Sequence, residues 1–253
     1  MRFVLVHGAS VGGWCFDWLV PELVSRGHEV IAPDLPGHGD RMNEAATFDG
    51  YVKTVVDLIQ PDDVLLGYSM GGWVVTPAAN ERLGNVKHII YLAAAVHVEG
   101  LSMMDSMKAA TAASTGNSDQ PAETSSYLDH VEFSESGSGF ATPSKEETRE
   151  FVFPDVPEDI ADLIYSRFTE QSLVPQMEPI HTPEFWKSNI PRSYIGYVED
   201  KCVPVPVGEY FADLLGVEPK WLPGSHMGGL VCHAKETADA ILDAVLGAEA
   251  AVT

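Results

Sequence analysis

Residues 64–73, VLLGYSMGGW, constrain the fold of this chain more than any other stretch. An apolar run of strand character leads directly into Gly-x-Ser-x-Gly, and a helical pattern follows over 70–84. This order predicts a sharp strand-to-helix turn that strains the backbone of Ser69 and lifts its hydroxyl clear of the sheet. Gly67 and Gly71 leave room for the strand and the helix to pack closely. Ser69 would then stand at a helix N-terminus, where the helix dipole favours developing negative charge.

Short apolar runs alternate with helical patterns in the first 96 residues and again after residue 188. The predicted strands cover 3–8, 29–39, 63–69, 86–96, 192–200 and 219–224. The predicted helices between and after them cover 14–27, 48–60, 70–84, 205–216 and 235–251. Fully apolar strands separated by helices are typical of a parallel sheet that is covered on both faces. We therefore expect an α/β fold with a mostly parallel sheet of about six strands flanked by helices.

An insertion interrupts this alternation between residues 97 and 187. Residues 101–147 are rich in Ser, Thr, Ala, Met and Gly and show no convincing strand. By contrast, 156–168 and the following QSLVPQM (171–177) have helical patterns. The predicted organisation is an α/β core of 1–96 and 188–253 with a mainly helical cap of 97–187. The cap contains many methionines and aromatic residues, some of which we expect to face a cavity.

Composition narrows the classes of partner. The chain has 253 residues, enough for one large domain, and a net charge of −22, which repels nucleic acids and anionic membranes. Cys15, Cys202 and Cys232 lie far apart without a CxxC pair, which argues against a disulfide framework or a zinc site. The sequence shows no signal-peptide pattern and no apolar span of membrane length. These features predict a cytoplasmic protein that binds neither nucleic acid nor membrane.

A serine nucleophile requires a histidine base and an orienting carboxylate, which follow it in the order Ser, acid, His in turns of this kind. Of the nine histidines, His226 lies in LPGSHMGG, directly after the last predicted strand, where its ring can reach the top of the sheet. His233 approaches the last helix and fits a surface or capping position better. Asp200 begins the loop after the preceding strand, and Glu199 is the alternative acid.

Acyl transfer also requires N–H donors for the oxyanion of the tetrahedral intermediate. The residue after the nucleophile, Met70, supplies one of them from its backbone. The loop after the first strand, HGASVGGW (7–14), is rich in glycine, so its amides can point into the site. Ala9 is the expected second donor. The ring of His7 is predicted to hold this loop and not to act as the base.

The segments HGASVGGW, DLPGHG, GYSMGG, VEDKCVP and GSHMGGL, in this order and spacing, resemble the α/β-hydrolase fold over essentially the whole chain. Within that superfamily the chain is most similar to the small methylesterases and hydroxynitrile lyases. Lyases of this group carry a threonine directly after the histidine of the first loop, and a lysine directly after the catalytic histidine that stabilises departing cyanide. Gly8 and Met227 occupy these positions here. The resemblance therefore implies an esterase in preference to a lyase.

The sequence thus predicts a serine hydrolase that cleaves a small to medium apolar ester, such as a methyl ester or a lactone, through an acyl-enzyme. Neither a metal nor an organic cofactor is expected. Trp14, Tyr127 and Phe168 are the candidate substrate-binding residues. A carbon–carbon bond hydrolase or a hydroxynitrile lyase of the same fold is the alternative, and a ligand receptor with slow or no turnover is the alternative from another class. A monomer and a homodimer are both compatible with the sequence.

Overall fold

The structure, a computed structural model, describes residues 1–115, 139–140 and 144–252. The strands are β1 (Arg2–Val6), β2 (Glu29–Ile31), β3 (Asp63–Tyr68), β4 (Val86–Leu92), β5 (Gly139–Phe140), β6 (Gln171–Ser172), β7 (Arg192–Tyr197) and β8 (Lys220–Leu222). Six of them form one sheet in the order β2-β1-β3-β4-β7-β8, and every neighbouring pair is parallel. The prediction of a parallel sheet of about six strands is confirmed.

The described residues also form ten α-helices. They are α1 (Leu19–Ser25), α2 (Phe48–Val56), α3 (Gly71–Glu81), α4 (Met103–Thr115), α5 (Lys145–Val152), α6 (Glu158–Tyr165), α7 (Pro183–Lys187), α8 (Val205–Leu215), α9 (Gly228–Val231) and α10 (Ala234–Val252). The single helix predicted over 14–27 is divided into a 3-10 turn, Gly13–Phe16, and α1. Among the described residues, no helix is both long enough and apolar enough to cross a bilayer.

The strands are apolar on both sides because each face of the sheet packs against helices. Leu65 of β3 and Ile89 of β4 belong to one buried cluster, together with side chains of α2, α3 and α8. The next residues along these strands, Leu66 and Ile90, belong to a second cluster, together with side chains of α1 and α10. This alternation follows from the strand period of two. Because these strands are parallel, the carboxyl ends of β3, β4, β7 and β8 lie along one edge of the sheet, where the site lies.

The segment 97–187 contributes α4 to α7 and the antiparallel pair β5-β6, and its described residues add no strand to the large sheet. Two predictions for this segment were wrong. A strand occurs within 101–147, where Phe140 pairs with Gln171. The helix predicted over 171–177 is instead β6 followed by a short 3-10 turn, Val174–Gln176. The buried side chain of Gln171 bonds to residues of other segments, which holds its backbone extended.

Candidate active site

Ser69 occupies the turn between β3 and α3 with a φ of 53°, a conformation that costs a non-glycine residue about 1–3 kcal/mol. A Cβ atom on Gly67 would lie 2.6 Å from the carbonyl carbon of Gly71, so the strand and the helix can approach this closely because glycine is present. The N–H of Ser69 donates to the carbonyl oxygen of Leu92 (3.2 Å), and its own carbonyl accepts from Ala95 (3.3 Å). The turn is therefore anchored to the end of β4.

His226 lies between Ser69 and Asp200. Its Nε2 is 3.0 Å from Ser69 Oγ, and its Nδ1 is 2.7 Å from Asp200 Oδ2. Because the carboxylate can only accept, Nδ1 carries the hydrogen and Nε2 is free to accept from the serine hydroxyl. The three side chains follow β3, β7 and β8, so their meeting results from the parallel sheet. Asp200 and His226 are both buried, which shields their contact from water.

The two candidate acids have different surroundings. Asp200 Oδ1 accepts from the backbone N–H of Cys202 (2.7 Å) and of Val203 (2.9 Å), which leaves Oδ2 directed at His226. The Glu199 carboxylate instead accepts from the N–H of Gly224 and holds the loop after β8. The structure therefore brings Asp200, and not Glu199, to the histidine.

The loop that carries His226 is held by residues that the sequence analysis did not identify. The Tyr68 hydroxyl donates to the carbonyl oxygen of His226 (3.1 Å), and the two rings lie 5.0 Å apart. Asp155 accepts from both the N–H and the hydroxyl of Ser225. The N–H of Met227 donates to the carbonyl oxygen of Val152 (2.8 Å). No motif or spacing links 152–155 with 225–227 in the sequence, so these contacts had no sequence signal.

The first loop is ordered by His7, which is fully buried. The N–H of Leu35 donates to Nε2 of His7 (3.0 Å), so the hydrogen is on Nδ1, which donates to the carbonyl oxygen of Gly8 (2.8 Å). Burial lowers the pKa of His7 to about 3, which keeps the ring neutral and this pattern intact. Ala9 and Met70 border the cavity beside Ser69, and in the described part of the chain their amides have no hydrogen-bond acceptor. Both amides are thus available to an oxyanion.

A mainly apolar cavity lies over Ser69. Its lining includes Met70, Met103, Met104, Met107 and Met227, five of the eight methionines of the chain. Methionine side chains are flexible and polarisable, so such a lining adapts to apolar ligands of different shapes. The segment 97–187 is called the cap segment below, after the predicted cap. The buried amides of Gln171 and Gln176 are the polar exceptions among the lining residues that it contributes.

The three predicted substrate-binding residues have different positions. Phe168 lines the cavity. Trp14 does not: it lines a separate hollow with Arg167, whose guanidinium lies 4.4 Å from the centre of the Trp14 ring, and it contacts the Phe168 ring edge-on. Trp14 belongs to the 3-10 turn Gly13–Phe16 and packs against a buried cluster of the core. Tyr127 lies outside the described residues.

Asp200, Cys202 and His226 place one potential metal-ligating atom each within 4.8 Å of one another. Asp200 and His226 use these atoms for their mutual hydrogen bond. Burial and the neighbouring Asp200 charge raise the pKa of the Cys202 thiol well above its usual value, which keeps it protonated and a poor ligand. The geometry of this cluster therefore fits a hydrogen-bonded pair of Asp200 and His226 better than a metal centre.

Comparison with known proteins identifies the family. The model of the alpha/beta hydrolase family matches residues 3–244. The chain belongs to the alpha/beta hydrolase family. A pyrethroid hydrolase of Sphingobium wenxiniae is 30% identical over 212 residues, which are 81% of this chain and 72% of that protein. This alpha/beta hydrolase is also 34% identical to the carbendazim hydrolyzing esterase of a Nocardioides species over 110 residues, and that match covers 41% of this chain and 46% of the relative.

Solved structures give the same assignment. Polyneuridine aldehyde esterase superposes with a TM-score of 0.77 at 25% sequence identity, and the match covers 96% of this chain and 98% of that one. The predicted family and fold are confirmed. These relatives are hydrolases and esterases, in agreement with the predicted class of carboxylic ester hydrolase.

Proposed function

We propose that this protein is a serine carboxylesterase in which Ser69 is the nucleophile, His226 the base and Asp200 the orienting acid. The observation that carries the proposal is the continuous hydrogen-bonded series from Ser69 Oγ through His226 to Asp200 at the base of an apolar cavity. In this role His226 Nε2 takes the serine proton as Oγ attacks the ester carbonyl carbon. Asp200 keeps the hydrogen on Nδ1 and stabilises the imidazolium that forms.

The amides of Ala9 and Met70 are the proposed oxyanion donors, each of which would contribute about 3 kcal/mol to the transition state. The tetrahedral intermediate collapses, and the alcohol departs with the proton from His226. Water then repeats the sequence on the acyl-enzyme, which releases the acid and restores Ser69. In this proposal the described part of residues 97–187 acts as a cap that covers the reacting carbonyl with mainly apolar side chains.

The lining of the cavity supports small to medium apolar esters as substrates, including methyl esters and lactones. The named activities of the pyrethroid hydrolase and of polyneuridine aldehyde esterase agree with an apolar ester. Cyanohydrin cleavage is disfavoured by two residues beside the triad. Gly8 has no side chain and therefore no hydroxyl in the position of the lyase threonine. A Cβ atom at this position would lie only 2.9 Å from Ser69 Cβ. Met227 is a buried thioether that carries no charge to stabilise cyanide.

The test is a set of initial rates for the wild type and Ser69→Ala. The substrates are p-nitrophenyl esters of increasing acyl length, methyl esters, lactones and mandelonitrile. We expect ester turnover by the wild type and a loss of about 10⁴-fold or more in Ser69→Ala. Cyanide release without ester turnover would contradict the esterase assignment. Tight ligand binding without turnover would favour a receptor, and unchanged ester turnover in Ser69→Ala would exclude Ser69 as the nucleophile.

A further inference from the structure

We propose that Gln171, a residue of the cap segment, is a positioning residue that holds the oxyanion loop, residues 7–14 after β1, in its catalytic conformation. The proposal rests on the proposed function, because it assigns Gln171 an effect on the amide of Ala9. Gln171 is 1% exposed and is the first residue of β6. It lies 161 positions along the chain from Ser10, to whose backbone it is bonded.

The orientation of the Gln171 amide follows from its partners. Its Oε1 accepts from the backbone N–H of Ser10 (3.1 Å), a group that can only donate. Its Nε2 donates to the carbonyl oxygen of Ser172 (3.1 Å), a group that can only accept. A flipped amide would lose both bonds. Oε1 must therefore also be the acceptor in its 2.8 Å contact with His38, whose Nε2 carries the hydrogen.

These bonds complete the anchoring of the peptide groups on either side of Ala9. The preceding peptide is held at its carbonyl, because His7 donates to the oxygen of Gly8. The following peptide is held at its N–H, because Ser10 donates to Gln171. Ser10 has a φ of 61°, a left-handed conformation that needs support in a non-glycine residue. The direction of the Ala9 N–H is thus set by one core histidine and one cap glutamine.

The cap segment makes a second bond to the same residue, since the N–H of Thr169 donates to the carbonyl oxygen of Ser10 (2.9 Å). On its other side, the Gln171 amide donates to the Tyr51 hydroxyl (3.3 Å) of α2. Gln171 therefore joins the oxyanion loop to buried side chains of the core. Loss of its Oε1 would free the Ser10 peptide to rotate and would misalign the Ala9 donor in the transition state.

The experiment compares Gln171→Met with Gln176→Met as its matched control. Gln176 is also a buried cap glutamine that lines the cavity and approaches the oxygen of Ser172 (3.4 Å), but its described contacts do not include the oxyanion loop. With p-nitrophenyl butyrate we expect Gln171→Met to lower kcat by about 10-fold to 100-fold with KM changed by less than about threefold. Gln176→Met should instead change mainly KM.

A transition-state mimic separates positioning from packing. Phenylboronic acid bonds to Ser69 Oγ, the serine proton passes to His226, and the boronate becomes a tetrahedral anion whose oxygen occupies the oxyanion site. We expect its Ki to rise in Gln171→Met by about the same factor as kcat falls. The affinity of the planar amide analogue 4-nitrobutyranilide should change by less than about threefold. Gln171→Glu, which keeps the acceptor, should recover part of kcat, and Tyr51→Phe should lower kcat by about twofold to fivefold.

The proposal is overturned if Gln171→Met changes only KM, or weakens the boronate and the anilide equally. It is also overturned if Tyr51→Phe, which removes one oxygen atom, leaves both kcat and the boronate Ki at wild-type values. These outcomes differ from a failure of the proposed function, in which Ser69→Ala itself would remain active or the wild type would not hydrolyse esters. Melting temperatures measured for every variant identify any loss of activity that is due to unfolding.

Discussion

The core and the cap segment build the site in different ways. The core supplies Ser69, Asp200 and His226 from turns that directly follow parallel strands, so local backbone geometry places them. The cap segment supplies short elements whose buried side chains reach distant loops, as Gln171 reaches Ser10 and Asp155 reaches Ser225. We therefore expect the chemistry to depend on the core, while rate tuning and substrate size depend on the cap. The following predictions test this division.

The largest effect is expected from the acid of the core. Asp200→Asn removes the charge that stabilises the imidazolium and allows the wrong tautomer of His226, so kcat should fall by about 10⁴-fold. The matched substitution Glu199→Gln, at the neighbouring carboxylate that holds Gly224, should leave kcat within about threefold. Steady-state kinetics with p-nitrophenyl acetate make the comparison. Equal losses of kcat in both variants would show that kcat depends on the loop after β8 and not on the Asp200 charge.

An intermediate effect is expected in the cap. Phe168→Ala removes an aromatic ring from the lining of the cavity, so KM for short acyl esters should rise by about 10-fold. Phe168→Ala should favour longer or bulkier acyl groups more than the wild type does. Its kcat for p-nitrophenyl acetate should change little. Leu163→Ala, in the same segment but 54% exposed, is the control. An unchanged chain-length profile in Phe168→Ala would place substrate selection outside the described lining.

The smallest effect concerns the pH dependence of stability. Burial lowers the pKa of His97, at the start of the cap segment, to about 4, so the folded chain holds it neutral. Unfolded, it protonates near pH 6.5, so the unfolded chain binds more protons below that pH. The contribution of neutral His97 to the free energy of unfolding is present above pH 6.5 and is lost as the pH falls toward 4. Each such histidine adds a slope of at most about 1.4 kcal/mol per pH unit to the free energy of unfolding.

The variant that isolates this contribution is His97→Gln. Its free energy of unfolding should depend on pH less steeply than that of the wild type between about pH 6.5 and 4.5, because one titrating group is removed. Urea denaturation at several pH values measures both slopes. His7 of the core, with a pKa of about 3, remains in both proteins and supplies the common background. Identical slopes would mean that His97 is not held neutral in the folded chain.

The difference between core and cap also explains what the sequence could predict. The parallel sheet of about six strands, the Ser69 turn and the meeting of Ser69 with Asp200 and His226 follow from local patterns plus the geometry of parallel strands. Trp14 lies in a 3-10 turn where a continuous helix was expected, so its position beside a separate hollow was not predicted. The contacts of Gln171 and Asp155 join segments far apart in the chain, and hydrophobic periodicity carries no information about such polar pairs. The extended form of β6 was missed for the same reason.

The bonds between 152–155 and the loop of His226 have a consequence for protein engineering. Exchange of the cap segment for that of a relative would be one way to change the substrate range, and it would assume that the cap segment is a separable module. Here Val152 and Asp155 bond to Met227 and Ser225, on either side of His226. A transplanted cap that lacks these acceptors would leave the proposed general base without its anchors. A functional chimera must therefore exchange the cap and residues 225–227 as one unit.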